Sequence, residues 1–225
     1  MDTGSHDDSY TAPGVRGMVA DWAADKQAFD MPWGKLMMWI FLLSDTFIFS
    51  IFLTSYMNVR LSATDSWPNA SEVFALEIFG HHLPLILIAI MTFVLITSSG
   101  TMAMAVNFAY RRDRRKTVWL MAATALLGAS FVGMQAFEWT KLIEDGVRPW
   151  GNPWGAAQFG SAFFMITGFH GLHVSAGVIY LAIVARKVAR GDYEQKGYAI
   201  VEIAGLYWHF VDLVWVFIFA FFYLW

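Results

Sequence analysis

Five long apolar segments restrict what this chain can fold into more than any other feature. Each is long enough to cross the hydrocarbon core of a bilayer as a helix, which takes about 20 residues. Charged residues make up only 15% of the sequence and hydrophobic residues 57%, as expected of a membrane protein. The predicted fold is an all-α integral membrane protein, a bundle of five transmembrane helices. The predicted spans are Trp33 to Met57, Leu83 to Phe108, Val118 to Trp139, Phe159 to Ala185 and Ala199 to Trp225.

The spans leave short connections and one polar stretch, residues 1–30. This stretch is acidic, lacks the apolar core and cleavage site of a signal peptide, and does not resemble an Arg-rich organelle presequence. We therefore predict a polar cytoplasmic tail at 1–30, one transmembrane domain at 31–225, and a bacterial plasma (inner) membrane location. No soluble catalytic domain is predicted. Because the chain has no cysteine, disulfides and thiolate metal sites are excluded.

The distribution of lysine and arginine predicts the orientation. Nine of the fifteen basic residues lie in the second and fourth connections between spans. If these connections and the N-terminus face the cytoplasm, twelve basic residues are inside and three outside, as the positive-inside rule requires. The C-terminus is then periplasmic. The three outer residues are Arg60, Lys141 and Arg148.

Ionisable side chains within the spans are the first candidates for function, because such groups are costly in hydrocarbon and normally face a protein interior. Counting about 1.5 Å per residue places four of them in one layer, roughly 15–20 Å from the cytoplasmic helix ends. The layer consists of Asp45, His173, His209 and Asp212. His170 shares a helix face with His173, whereas Glu202 is predicted near the inner surface and Glu138 near the outer one.

The favoured interpretation of this buried polar core, Asp45, His170, His173, His209 and Asp212, is interhelical hydrogen bonding that fixes the packing of the first, fourth and fifth spans. A metal site and a proton relay are the alternatives. The sequence has no E-x-x-H pair, no H-E-x-x-H and no dense histidine boxes, so we predict no metal site and no catalytic residue. A haem between His170 or His173 and His209 is a further alternative, and we predict no bound redox centre.

Three further polar features lie near the predicted membrane surfaces. His81 and His82 adjoin Pro84 at the outer start of the second span and are interpreted as interfacial contacts to lipid headgroups. The basic cluster is mainly a topology signal with anionic lipid contact in addition. It comprises Arg111, Arg112, Arg114, Arg115 and Lys116. Gln135 and Glu138 lie one turn apart and are predicted to form a hydrogen-bonded pair that seals the outer end of the third span.

Two long motifs resemble a known family. They are Ile166-Thr-Gly-Phe-His-Gly-Leu-His-Val174 in the fourth span and Tyr207-Trp-His-Phe-Val-Asp-Leu-Val-Trp215 in the fifth. Both resemble the subunit III family of haem-copper oxidases, which includes cytochrome c oxidase subunit III and its quinol oxidase counterparts. The resemblance runs from about Gly34 to Trp225. It also takes in Leu43-Ser-Asp45, Thr97-Ser-Ser-Gly100, Met134-Gln-Ala-Phe-Glu138 and Glu202.

The resemblance implies an accessory core subunit that holds no haem or copper of its own, these being expected in the partner subunits. Its partners would be oxidase subunit I above all, subunit II and a small subunit IV, together with phospholipid and no nucleic acid. The holoenzyme would reduce oxygen to water and pump protons, and this subunit would support subunit I, proton uptake and lipid binding. The family's carbodiimide-reactive carboxylate falls on Asp45, a shorter acid than the family's glutamate. Seven-helix members have two further N-terminal spans, and this chain matches the five-helix bacterial form.

Other classes of protein stay open at this stage. An accessory subunit of a nitric oxide reductase shares the fold family, and the motifs do not separate it from an oxidase subunit. A stand-alone membrane metalloenzyme would use the same histidines and aspartates. A small transporter is a third class, but neither inverted repeats nor matching broken helices are visible.

Overall fold

The structure is a computed structural model that describes residues 32–78, 81–194 and 197–224. The predicted tail, residues 1–30, lies outside this part. By internal contacts the chain divides into residues 1–37 and 38–225. The helices are α1 (Trp33–Ser62), α2 (Ala70–Val73), α3 (Ile86–Tyr110), α4 (Arg114–Glu144), α5 (Gln158–Arg190) and α6 (Ala199–Phe219), and a π-helix, Ala220–Leu224, continues α6. Two strands, β1 (Ala75–Ile78) and β2 (His81–Pro84), lie between α2 and α3.

Five of these helices are long and apolar enough to cross a membrane: α1, α3, α4, α5 and α6 with its π-helical end. They correspond one to one to the predicted spans, so the helical prediction is confirmed. Several helix ends differ from the prediction, and at two of them a capping residue sets the end. Asp113 accepts a hydrogen bond from the Lys116 backbone N–H, so α4 begins at Arg114, within the basic connection. Gly191, with φ of 87°, ends α5 at Arg190.

A short β-hairpin was not predicted and corrects the start of the second span. β1 and β2 pair antiparallel, with Leu76 opposite Leu83 and Ile78 opposite His81. Leu85 follows in a left-handed conformation, and the helix begins only at Ile86. Leu83 and Pro84 therefore belong to a strand and not to the helix, and His81 and His82 lie in that strand instead of at a helix start.

Small residues let α3, α4, α5 and α6 approach closely. The Trp208 ring of α6 lies against Gly128 of α4 and Gly177 of α5, and a Cβ atom at Gly128 would overlap it. The indole N–H of Trp208 donates to the Ser98 hydroxyl of α3 at 2.9 Å, so the ring is held at its polar edge as well. This is the packing expected where lipid supplies no hydrophobic driving force between helices.

α1 is held differently from the other four spans. Its inward stripe repeats every three or four residues and reaches its neighbours mainly through aromatic rings. The stripe consists of Leu42, Asp45, Phe49, Leu53 and Tyr56. Phe49 lies 5.4 Å from Phe169 of α5 between ring centroids, and Tyr56 lies 4.1 Å from Phe222 of the π-helix. Because rings occupy the space between the backbones, α1 stands further from the bundle than the close-packed helices stand from one another.

The two ends of the bundle differ in chemistry. One end, here the aromatic end, is closed by interlocking rings, with Phe74 4.5 Å from Tyr223 and 5.3 Å from Phe163. Its rings are those of Tyr56, Trp67, Phe74, Phe159, Phe163, Phe222 and Tyr223. The opposite end, here the basic end, holds the 111–116 connection and the C-terminal turn of α5 with Lys187 and Arg190. The predicted buried polar core lies between these two ends.

Candidate functional site

Asp45 and His173 form an ion pair that joins α1 to α5. The Asp45 Oδ2 and His173 Nε2 atoms are 2.9 Å apart, and the side chains are 6% and 12% exposed. No N–H points directly at Oδ2, so the contact is an ion pair and not a well-aligned hydrogen bond. The His173 Nδ1 lies 2.8 Å from the Phe169 carbonyl oxygen. α1 and α5 otherwise contact each other through aromatic rings, and this pair is the polar contact between them.

The surroundings of this pair are apolar. A carbonyl oxygen can only accept, so the His173 Nδ1 donates to Phe169. Rings of Phe49 and Phe169 lie 5.6 and 4.7 Å from the imidazole. In such surroundings each member of an ion pair depends on the other, because an unpaired charge there is costly.

A second polar group links α3 to α6. The Ser99 hydroxyl lies 2.6 Å from the Nδ1 of His209, and Asp212 stands one turn further along α6 beside both side chains. His209 and Asp212 are half-buried. The Oδ1 of Asp212 is buried and has no hydrogen-bond partner within the described ranges. This group is therefore incompletely satisfied.

The predicted single layer separates into these two groups. Within residues 38–78, 81–194 and 197–224, no hydrogen bond or ion pair joins Asp45 or His173 to His209 or Asp212. The link between the helices is instead the Tyr207 hydroxyl, which donates to the His173 carbonyl at 2.9 Å. Depth along each helix was predictable from residue counting, but the direction in which each side chain points depends on how the helices are rotated.

His170 joins neither group. Its ring is stacked on Trp215 at 5.4 Å and meets Phe131 edge-on at 6.0 Å, and the residue is 1% exposed. Neither ring nitrogen has a hydrogen-bond partner among the described residues. A separation of three residues turns the side chain by about 60°, and this turn is enough to direct His170 toward α4 and α6 while His173 faces α1.

Glu138 lies near the aromatic end and is held by two donors. The Gln135 side-chain amide donates to its Oε2 at 2.7 Å, so the predicted pair is confirmed. The Tyr223 hydroxyl, 3.2 and 3.3 Å from the two carboxyl oxygens, is a partner that sequence reasoning missed. Tyr223 belongs to the π-helix, whose wider turn changes the register of side chains, so α-helical counting from Asp212 does not lead to it.

The remaining predicted residues lie at the two ends. Glu202, in the first turn of α6, meets the Tyr110 hydroxyl. Arg114 forms an exposed ion pair with Glu194 at 2.7 Å, and the Arg111 guanidinium lies 5.7 Å from the Phe108 ring centroid. The side chains of His81 and His82 lie outside the described part of the structure, so their lipid contact stays a prediction, as does that of Arg112 and Arg115.

Asp113 has the clearest electrostatic setting outside the spans. Its pKa lies below the ordinary value because the Lys116 backbone N–H donates to the carboxylate and the Lys116 ammonium is 3.2 Å away.

In the described ranges, no group of three or more histidine, aspartate or glutamate side chains is arranged to hold a metal ion. The site as described joins helices through the Asp45–His173 ion pair and through the hydrogen bonds at Glu138.

Comparison with known proteins gives a consistent result. The sequence model for cytochrome c oxidase subunit III matches residues 25–225. A probable quinol oxidase subunit 3 from Staphylococcus aureus (strain USA300) is 30% identical over 197 residues, which cover 87% of this chain and 90% of the relative. The probable quinol oxidase subunit 3 of Staphylococcus saprophyticus matches with the same identity and coverage.

Proposed function

The chain belongs to the cytochrome c oxidase subunit III family, and on that premise we propose that it is an accessory core subunit of a respiratory haem-copper terminal oxidase. The holoenzyme reduces oxygen to water and pumps protons, while this chain supports subunit I without a redox centre of its own. The observation that carries the proposal is the Asp45–His173 ion pair. Asp45 falls at the position of the family's buried carboxylate. Its contact with His173 joins α1 to α5.

The role of this chain is to present a stiff helical surface beside subunit I. Close packing around Trp208 makes α3 to α6 a rigid block, and Asp45–His173 fixes α1 against α5. A subunit built in this way can hold the neighbouring subunit in the geometry that proton uptake needs and can protect it from inactivation during turnover. Haem and copper sit in the partner subunits, subunit I and subunit II, with a small subunit IV as a further partner.

The basic end faces the cytoplasm in this proposal, and the chain lies in a bacterial plasma membrane. The support is the lysine and arginine count, twelve on one side against three on the other. The N-terminus is then cytoplasmic and the C-terminus periplasmic. Because the chain has no cysteine of its own, single cysteines at Arg112 and at Ser66 give a clean test. An impermeant thiol reagent added to intact cells should label the second and not the first, and the reverse pattern would contradict the orientation.

Phospholipid binds at the basic end in this proposal. A groove between α3 and α4 combines apolar walls with two cations at one margin, and the Lys116 ammonium lies 4.8 Å from the Phe108 ring centroid. The lining residues are Met104, Phe108, Arg115, Lys116, Trp119 and Leu120. An apolar slot with basic residues at the membrane surface suits an anionic phospholipid. Native mass spectrometry of the complex should show one such lipid fewer when Arg115 and Lys116 are both replaced by Gln, and an unchanged lipid count would remove the site.

Glu202 tunes proton supply near the basic end. It occupies the first turn of α6 and contacts the Tyr110 hydroxyl. In the proposed orientation this is the side from which protons are taken up. Glu202→Gln keeps the shape and removes the charge. We expect slower turnover at high pH, where protons are scarce, and little change at neutral pH. A pH–rate profile that superimposes on the wild-type profile would eliminate this role.

The experiment that tests the proposed function is co-purification followed by spectroscopy. The tagged chain is isolated in mild detergent, its partners are identified by mass spectrometry, and the reduced-minus-oxidised spectrum is recorded before and after the partners are stripped away. We expect haem-bearing subunits to co-purify and the stripped chain to show neither haem absorbance nor stoichiometric metal. Cytochrome c and a quinol are both supplied as donors, because the relatives' names include quinol oxidases. A chain that purifies alone with bound iron would contradict the proposal.

A further inference from the structure

The group formed by Ser99, His209 and Asp212 is left half-exposed at the middle of the membrane. His209 is about 15 Å along α6 from its first residue, and Ser99 lies near the centre of α3, at 1.5 Å per residue. Water does not reach this depth through lipid, so a histidine and an aspartate there need partners from protein. Within the described residues the chain supplies Ser99, whose hydroxyl lies 2.6 Å from the His209 Nδ1 and also contacts Asp212.

Several exposed hydroxyls on the outer surfaces of the helices bond within their own helix. The hydroxyls of Ser44, Thr54 and Ser130 donate to backbone carbonyl oxygens three or four residues earlier, at 2.6–2.7 Å. Such residues can face lipid at little cost. Ser99 instead directs its hydroxyl at His209 and Asp212, and an ionised carboxylate has no proton to donate to a carbonyl of its own helix. The Asp212 Oδ1 atom is buried and has no hydrogen-bond partner among the described residues.

The surface around this group also allows another helix to approach. Gly100 follows Ser99, and a Cβ atom built there meets nothing within 4 Å. Ile96 of α3 and Leu213 of α6 flank the polar group and are about half exposed. By contrast, the outward faces of α4 and α5 at the same depth present Leu126 and Leu172, which are large, apolar and exposed, as suits lipid. An open glycine beside unpaired polar groups is the arrangement in which transmembrane helices hydrogen-bond to each other.

We propose that the α3/α6 face, defined by Ile96, Ser99, Gly100, His209, Asp212 and Leu213, is the surface on which this chain docks a transmembrane helix of the haem-bearing subunit. The inference rests on the proposed function, because the partner is the oxidase subunit named there. The docked helix presents a hydrogen-bond donor, a hydroxyl, amide or cationic group, at the depth of Asp212. It completes the interhelical network that the chain leaves open, and the lipid-facing surfaces are those of α4 and α5.

Photo-crosslinking in the intact complex tests this surface. A benzophenone amino acid is placed singly at Ile96 or Leu213, and at the matched exposed positions Leu126 and Leu172 as controls. Illumination of the purified holoenzyme should join the first two to the haem-bearing subunit and the two controls to lipid. Crosslinks from Leu126 or Leu172 to that subunit, crosslinks between two copies of this chain, or lipid adducts alone at Ile96 and Leu213 would each overturn the assignment.

A second variant tests the chemistry of the contact. Asp212→Leu removes the group that needs a donor, and Phe217→Leu on the same helix is the matched control. We expect the first to lower the fraction of holoenzyme that retains this chain after detergent washing by about tenfold, and the control to leave it unchanged. Equal retention in both would overturn the role of Asp212. If no haem-bearing subunit accompanies even the unmodified chain, the proposed function fails, and that outcome is distinct from a crosslink on the wrong face.

Discussion

α1 and the block formed by α3 to α6 both consist of helices able to span a membrane, yet different interactions hold them in place. In the block, glycines bring backbones together and Trp208 fills the space between three helices. At α1, aromatic rings hold the backbones apart and one ion pair, Asp45–His173, supplies the polar contact. In the block, stabilisation comes from dispersion contacts among many atoms. At α1, the polar contact with α5 is made by two side chains, Asp45 and His173. We therefore expect changes in the block to act mainly on stability, and a change at the ion pair to act mainly on the position of one helix.

Removal of the Trp208 ring is expected to have the largest effect. Trp208→Ala opens a cavity between α4, α5 and α6 and leaves the Ser98 hydroxyl without its donor, so the free energy of unfolding should fall by about 3–5 kcal/mol. Unfolding in mixed detergent micelles, followed by far-UV circular dichroism, measures it. Phe217→Ala, an exposed ring on the same helix, is the control and should cost little. A Trp208 variant as stable as that control would mean that the ring does not hold the block together.

Filling the glycine opposite this ring should have the next largest effect. Gly128→Leu forces its side chain into the space of Trp208 and Val178, at an expected cost of about 1–3 kcal/mol. The matched variant on α4 is Gly133→Leu, whose Cβ position meets nothing within 4 Å. The same unfolding assay compares them. Equal losses in both would show that close approach at Gly128 does not decide the packing of the block.

Breaking the ion pair should cost less in stability and more in function. Asp45→Asn keeps the shape, removes the carboxylate that faces His173 and should lower the free energy of unfolding by only about 1 kcal/mol, as the loss of a polar contact between transmembrane helices usually does. In the holoenzyme we expect earlier loss of activity during continuous turnover. The rate of that loss is measured with excess donor and oxygen. Thr54→Val, an exposed change on α1, is the control, and identical inactivation rates would contradict a role for Asp45.

The smallest effect is expected at the cap of α4. Asp113→Ala removes an acceptor whose folded-state pKa is below its ordinary value, so the carboxylate stabilises the fold above about pH 4 and loses that effect as pH falls through the lowered value. The melting temperature of the variant should lie slightly below that of the wild type at pH 7 and meet it in acid. Asp113→Asn keeps an acceptor and should fall between them. A difference that persists unchanged in acid would rule out the carboxylate as its source.

The contrast between α1 and the block also marks what sequence can predict. Apolar length gave all five spans, and the two long motifs gave the family, since neither depends on helix rotation. Residue counting placed Asp45, His173 and His209 at similar depths. It could not separate the α1–α5 pair from the α3–α6 group, because the partner of each side chain depends on how neighbouring helices are turned. Tyr223 was missed for a related reason: a π-helix changes the register on which counting relies.

The start of α3 was predicted wrongly for a different reason. Leu83 and Pro84 are as apolar as the helix that follows, so hydropathy extends the span through them. Pairing with β1 and the left-handed conformation of Leu85 decide that the helix begins three residues later. Such local pairing depends on the backbone of a neighbouring segment, which hydropathy does not describe.

The most direct test of the account is the distance between α1 and α5 with and without the ion pair. Because the chain has no native cysteine, spin labels on single cysteines at Phe47 and Leu172 report that distance by pulsed electron resonance, and labels at Leu126 and Leu172 report α4 to α5. We predict that Asp45→Asn broadens the first distribution and leaves the second unchanged. Two unchanged distributions would mean that the aromatic contacts alone hold α1, and that Asp45–His173 does not control its position.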